Sequence, residues 1–218
     1  MRNSKLLGLA VLATLAAACT TTLEAATPQI SATSPLPVAS SDPRVKFKDG
    51  ERYLRDLSAN LQIPRESICK ELSQYDCVTD AFRIVLGGVE APNLLVNEPI
   101  ENAALTSPIA VDRVALQVCA NRVHMDREKP AEAVLFRAGV FGRDGRGKAP
   151  DKAWLRDTAD TIYGAILLRS PSEDEIRALT DFYSTAGRGR PTNSVDAAAD
   201  WVTLSCFAVA SSLEAVFY

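Results

Sequence analysis

The chain is poor in the residues from which most metal and catalytic sites are built. Its 218 residues include one histidine, His124, and no C-x-x-C-H or G-x-S-x-G run. A lone histidine cannot supply the multi-histidine coordination typical of zinc. The missing motifs exclude covalent haem attachment and remove the usual mark of a serine nucleophile. Positive charge is also short, with 24 Lys and Arg against 27 Asp and Glu for a net charge of −3. Nucleic-acid binding calls for a clustered basic surface, so it is not expected. Gly142 to Lys148 (GRDGRGK) has the glycine and lysine spacing of a phosphate-binding loop. Ala149 stands where Ser or Thr would hold Mg²⁺, and Pro150 follows at once, so the stretch reads as a basic turn. No nucleotide, metal or other cofactor is expected.

Internal repeats are absent, and only one long apolar run is present. Arg2 and Lys5 precede Leu6 to Ala18, an uncharged run of 13 residues that leads directly into Cys19. The run is too short to span a bilayer as a stable helix and has the plan of a signal peptide. Ala16-Ala17-Ala18 satisfies the small-x-small rule of ordinary cleavage, which leaves a plain secreted protein open. The cysteines, at 19, 69, 77, 119 and 206, bear on the choice. If Cys19 carries lipid, four remain, an even number suited to two disulfides in an oxidising compartment. The Ala16-Ala17-Ala18-Cys19 ending resembles a bacterial lipobox, whose cysteine is diacylated, typically with palmitate, and becomes the new N-terminus. Thr20 follows, not the Asp that retains such lipoproteins at the inner membrane, so the resemblance implies the outer membrane. Acyl chains contribute about 0.8 kcal/mol per buried CH₂, and several together make a stable anchor.

Residues 19–43 are rich in Thr, Ser, Ala and Pro, with Glu24 and Asp42 their only acidic residues. Such a segment buries too little apolar surface to offset its ordering entropy and reads as a disordered tether. Residues 44–218 are then expected to form one all-α domain of six or seven helices. Tyr53, Leu54, Leu57 and Leu61 recur at helical spacing. Pro64 opens a second expected helix carrying Ile68 and Leu72, and Phe82 to Leu86 is read as a helix end stopped by Gly87. Residues 89–106 read as an extended loop. Ser107-Pro108 then starts a helix to about Asp126, with Ser107 as N-cap and Val111, Val114, Ala115, Val118 and Cys119 inward. Ala131 to Phe141 is expected to be helical. Asp151 to Arg169 places Trp154, Leu155, Thr158, Ile162 and Ile166 on one face. Ser170-Pro171-Ser172-Glu173 reads as a capping box starting the next helix, which carries Ile176, Leu179, Phe182 and Tyr183. The last helix runs from about Asn193 to the terminus, apolar all round, as a buried central helix is.

Few groups remain that could do chemistry. Glu98 and Glu101 in the central loop are of the type paired in glycoside hydrolysis. Glu173, Asp174 and Glu175 are explained by the positive end of a helix dipole. Arg143, Arg146, Lys148, Arg188 and Arg190 are grouped in loops and offer a basic contact surface. The favoured cysteine pairings are Cys69–Cys77, across a helix-turn-helix corner, and Cys119–Cys206, between core helices. Arg169 before Ser170–Glu173, followed by a long apolar helix and the Phe217-Tyr218 pair, resembles a helical tail of planctomycete and myxobacterial surface proteins. That resemblance covers residues 162–218 and implies no catalytic residue. The expectation is a non-enzymatic, lipid-anchored envelope protein. It would act as a scaffold or interaction subunit of transport, adhesion or motility machinery, with the Pro92–Ser107 loop or the basic loops in contact. A cell-wall or glycan-active hydrolase using Glu98 or Glu101 and a small-ligand carrier are the alternatives.

Overall fold

A computed structural model describes residues 46–88, 105–137, 150–186 and 189–218. The described backbone is mainly helical, as expected: α1 (Gly50–Asn60), α2 (Ser107–Glu128), α3 (Lys152–Ile166), α4 (Glu173–Ala186), α5 (Val195–Ala210) and the one-turn α6 (Leu213–Val216). The only sheet among the described residues is a hairpin of β1 (Lys70–Glu71) and β2 (Tyr75–Asp76), registered Lys70 to Asp76.

α5 is the central element and packs against α2, α3 and α4. Ala197, Ala198 and Ala199 let its first turns approach their neighbours closely, and Trp201, Val202, Cys206 and Val209 are buried beyond them. The Trp201 indole donates to the Leu179 carbonyl oxygen at 2.8 Å. Its ring lies 5.7 Å from that of Trp154 and 5.8 Å from that of Tyr183. Cys119–Cys206 joins α2 to α5 across 87 residues of chain. The inward residues expected on α2 are all buried. The last helix is interrupted, however. Ser211 ends α5, and Ser212 restarts the chain as α6 by accepting from the Ala215 N–H. The Ser212 hydroxyl, bonding locally to the backbone, favours a cap over a helix interior. No helix of the described residues is long and apolar enough to cross a membrane.

α1 begins where Asp49 accepts from the Arg52 N–H, and it buries Tyr53, Leu54 and Leu57, with Leu61 just past its end. The Tyr53 hydroxyl donates to Ala210 O at 2.8 Å, which ties α1 to the end of α5. Burial, with Asp112 nearby, pushes that phenol well above its usual range. Gly50 is required by close approach, since a Cβ there would stand 2.8 Å from Leu86 Cβ.

Between α1 and α2 the expected helices are replaced by smaller devices. After Pro64 comes a single 3-10 turn (Arg65–Ser67) and then the hairpin. The hairpin reverses at Leu72 and Ser73, both left-handed at φ 51 and 61, and Leu72 is 82% exposed where a core position was expected. Cys69–Cys77 therefore closes a hairpin, not a helical corner. Asp76 then caps a five-residue π turn (Cys77–Ala81) by accepting from Val78 and Thr79. Phe82 to Leu86 makes one helical turn only. Gly87 (φ 83) and Gly88 donate back to Ile84 O and Arg83 O, the Schellman arrangement that ends helices.

Three other expectations shift. Thr106 is the N-cap of α2, while Ser107 lies inside the helix and its hydroxyl donates to Val85 O at 2.6 Å. The capping box of α4 falls two residues later than expected: Glu175 N donates to Ser172 Oγ and Ser172 N to the Glu175 carboxylate. After α2, residues 130–137 are a 3-10 turn and then non-helical chain. The reason is Asp126, fully buried, whose carboxylate accepts from the N–H groups of Val134, Leu135 and Phe136 at 2.7–2.9 Å. One side chain thus takes backbone donors that a helix would have used internally. Residues 138–141 of that expected helix lie outside the described residues.

Candidate functional site

One edge of α2 holds the hairpin in place. Arg113, Gln117 and Asn121, at four-residue spacing, face it together. Arg113 makes two hydrogen bonds to the Glu71 carboxylate, at 2.6 and 2.8 Å. Gln117 donates to Lys70 O at 3.0 Å, and Asn121 to Ser67 O and Ile68 O. Below the hairpin, Arg65 bonds Asp76 at 2.7 Å and Glu51 at 3.3 Å. The hydrogen bonds from Arg113 hold the Glu71 carboxyl below its ordinary range. Partial burial of Asp76 opposes ionisation, yet the bonds from Arg65, Thr79 and Val78 keep it low as well. With the disulfide added, the backbone here is fixed although little of it is regular.

That frame presents apolar side chains to solvent. Leu72 and Tyr75 project from the hairpin, and Ile109 and Leu116 from the outer face of α2. Leu72 and Leu116 line a shallow cleft of about 480 Å³ with Lys70, Arg113 and Ala120. Ion-paired charges at its rim and apolar side chains within it suit contact with another surface.

A second apolar corner lies at the end of the chain. Leu213, Phe217 and Tyr218 line an open, apolar depression with Glu214. Beside it, Arg169 binds both oxygens of Glu175 and both of Glu214, with its guanidinium 5.0 Å from the Tyr163 ring centroid. These bonds, with the Ser172 N–H, hold the Glu175 carboxyl down to about 2. The same guanidinium lowers Glu214.

The one buried ion pair among the described residues that approaches a site is Arg122–Asp126, at 2.8 Å. Arg122 also donates to Leu61 O and Gln62 O. Every carboxylate bond of Asp126 goes to this pair or to residues 134–136, so the arrangement is structural.

Of the residues singled out in the sequence, the structure brings together the two cysteine pairs, Cys69–Cys77 and Cys119–Cys206. His124 is an exposed α2 residue 3.3 Å from Glu128. Arg190 is ion-paired with Asp200, and Glu173 with Arg156. Cys19, Glu98, Glu101, Arg143, Arg146, Lys148 and Arg188, with the Pro92–Ser107 loop up to residue 104, lie outside the described residues. Among the described residues no group of three or more His, Cys, Asp or Glu is placed to hold a metal ion. Sequence reading missed the Arg113, Gln117 and Asn121 edge. The available signal was their four-residue spacing, together with two apolar residues, Ile109 and Leu116, off the inward stripe. No protein-family model matches the chain, and no curated protein or solved structure matches it significantly either.

Proposed function

We propose that the chain is a non-catalytic, lipid-anchored interaction subunit of a bacterial envelope assembly, held through Cys19 at the outer membrane. The observation that carries the interaction role is the cleft that Leu72 and Leu116 share, with Tyr75 and Ile109 also exposed on the same hairpin and helix, on a frame fixed by a disulfide and ion pairs. Apolar side chains exposed together on a rigid support are what a protein contact needs, because little ordering entropy opposes binding. The signal-like start, the lipobox resemblance and the two disulfides support the anchoring and the oxidising compartment. Binding through this surface needs no cofactor.

Crosslinking and affinity purification from intact envelopes test the reading. The expected result is a stoichiometric envelope protein crosslinked near the hairpin, lost at least tenfold in the doubly substituted Leu72→Asp, Leu116→Asp chain. Recovery of the chain with no partner overturns the reading. Mass analysis of the N-terminal peptide tests the anchor separately, by the presence or absence of acyl chains on Cys19.

A further inference from the structure

We propose that the apolar corner of Leu168, Leu213, Phe217 and Tyr218 is a lipid-docking surface, which seats the domain against the bilayer that anchors it. This inference rests on the anchoring reading and adds to it which face of the domain meets the lipid.

The first observation is exposure. Leu168 is 78% exposed, Leu213 77% and Tyr218 55%. Leu168 takes a left-handed backbone at φ 57 beside Arg169, whose guanidinium reaches Glu214 on the turn that carries Leu213. A bulky side chain is thus held exposed at a strained backbone position, next in sequence to the arginine that grips the corner's Glu214.

The second observation is where the preceding chain arrives. Lys46, the first described residue, donates its N–H to Tyr218 O at 2.9 Å and accepts from Tyr218 N at 3.0 Å. Phe47 packs edge-on against Phe217 at 5.6 Å. Twenty-six residues separate Cys19 from Lys46. A chain fixed to lipid at Cys19 therefore enters the domain at the edge of this corner. Tethering keeps the surface beside the root at a high effective concentration at the bilayer.

The third observation is chemical fit. Aliphatic and aromatic side chains beside a tyrosine are what an acyl–headgroup boundary accepts. The Arg52 guanidinium lies 4.0 Å above the Tyr218 ring, and Lys46 is exposed nearby. Both are placed to meet phosphate headgroups. Glu214, the acid of the corner, is bound on both oxygens by Arg169.

The test uses fluorescence quenching on the full, envelope-purified chain reconstituted with phosphatidylethanolamine–phosphatidylglycerol vesicles containing brominated lipid. L213W and L72W each add one exposed indole to the two native tryptophans. The expected result is at least threefold stronger quenching of the added emission in L213W than in L72W. Equal quenching, or none at 213, overturns the proposal, as does a crosslink from position 213 to a protein or to a second copy in envelopes. If L213W fails to fold by circular dichroism, L168W replaces it. If Cys19 carries no natural lipid, the thiol is coupled to a maleimide lipid and the comparison repeated. Quenching at 213 then upholds the surface while the anchoring reading fails. An acylated Cys19 without quenching has the opposite meaning.

Discussion

The described middle of the chain and its last third are held by different means. From α3 to α6 the order comes from repetition, as Leu155, Thr158, Ile162 and Ile166 and then Trp201, Val202, Cys206 and Val209 recur at helical spacing and bury one another. From residue 61 to 88, and again from 130 to 137, few residues are regular, and individual side chains hold the backbone. Asp76 caps a π turn, a disulfide closes a hairpin, Arg113 clamps β1, and Asp126 takes three N–H groups. Redundant packing tolerates single losses better than single-bond devices do, so substitutions should separate the two regions.

The largest separation is expected at Asp126. Asp126→Ala leaves the Arg122 charge buried without its counter-charge and strands three backbone donors, at a cost of about 5 kcal/mol. Arg122→Met should cost clearly less, because Asp126 keeps its backbone bonds. Urea unfolding of both variants gives the comparison, and equal losses would show that the ion pair, not the backbone bonds, dominates.

The disulfides come next. Loop entropy alone gives about 4.6 kcal/mol for Cys119–Cys206 and about 2.6 kcal/mol for Cys69–Cys77. Paired alanine substitutions should follow that order. Hydrogen exchange should localise the second loss to residues 65–81, with α3 to α5 still protected. A global collapse from the smaller loop would mean that the two regions are one cooperative whole.

A smaller effect locates the start of α4. Ser172→Ala should cost about 1 kcal/mol and Ser170→Ala almost nothing, the reverse of what the position of Pro171 suggests. Thermal unfolding distinguishes the two variants.

The smallest effect is a pH dependence. Glu175 is held at about 2 in the fold, against roughly 4.3 when unfolded. Its contribution is present above the unfolded value and is lost as pH falls through the folded one. Glu214 acts in the same direction. The urea midpoint should therefore decline from about pH 4.5 toward pH 2, and Arg169→Met should flatten that decline.

What the sequence makes legible follows the same division. The helices α1 to α5 and most of their buried residues are readable because each is encoded many times over. The hairpin is not, because Leu72 and Ser73 lack the Gly or Asn that signals a left-handed turn; the tertiary clamp from Arg113 and the disulfide impose it. The chain after Pro130 escapes for a similar reason, since its apolar residues suit a helix and a single buried carboxylate decides otherwise. The cysteine pairings are readable from parity and from where the core helices lie. The contact surface is legible only in part. Leu72 reads as core at helical spacing, and the outward direction of Leu116 emerges only once α5 has claimed the opposite face of α2.

The pairing of Lys46 with Tyr218 has a mechanical consequence. Among the described residues, tension applied along the chain from the N-terminal side is met first by Lys46–Tyr218 and next by Lys48 N to Val216 O, at 2.8 Å. The bonds are met one after another, so load peels them in sequence and does not shear them together. Under a pull the domain gives up residues 46–48 from its edge first. Gly50 N to Leu86 O and the α1 contacts behind it are strained only after that seam has opened, and the seam can close again when the force is released.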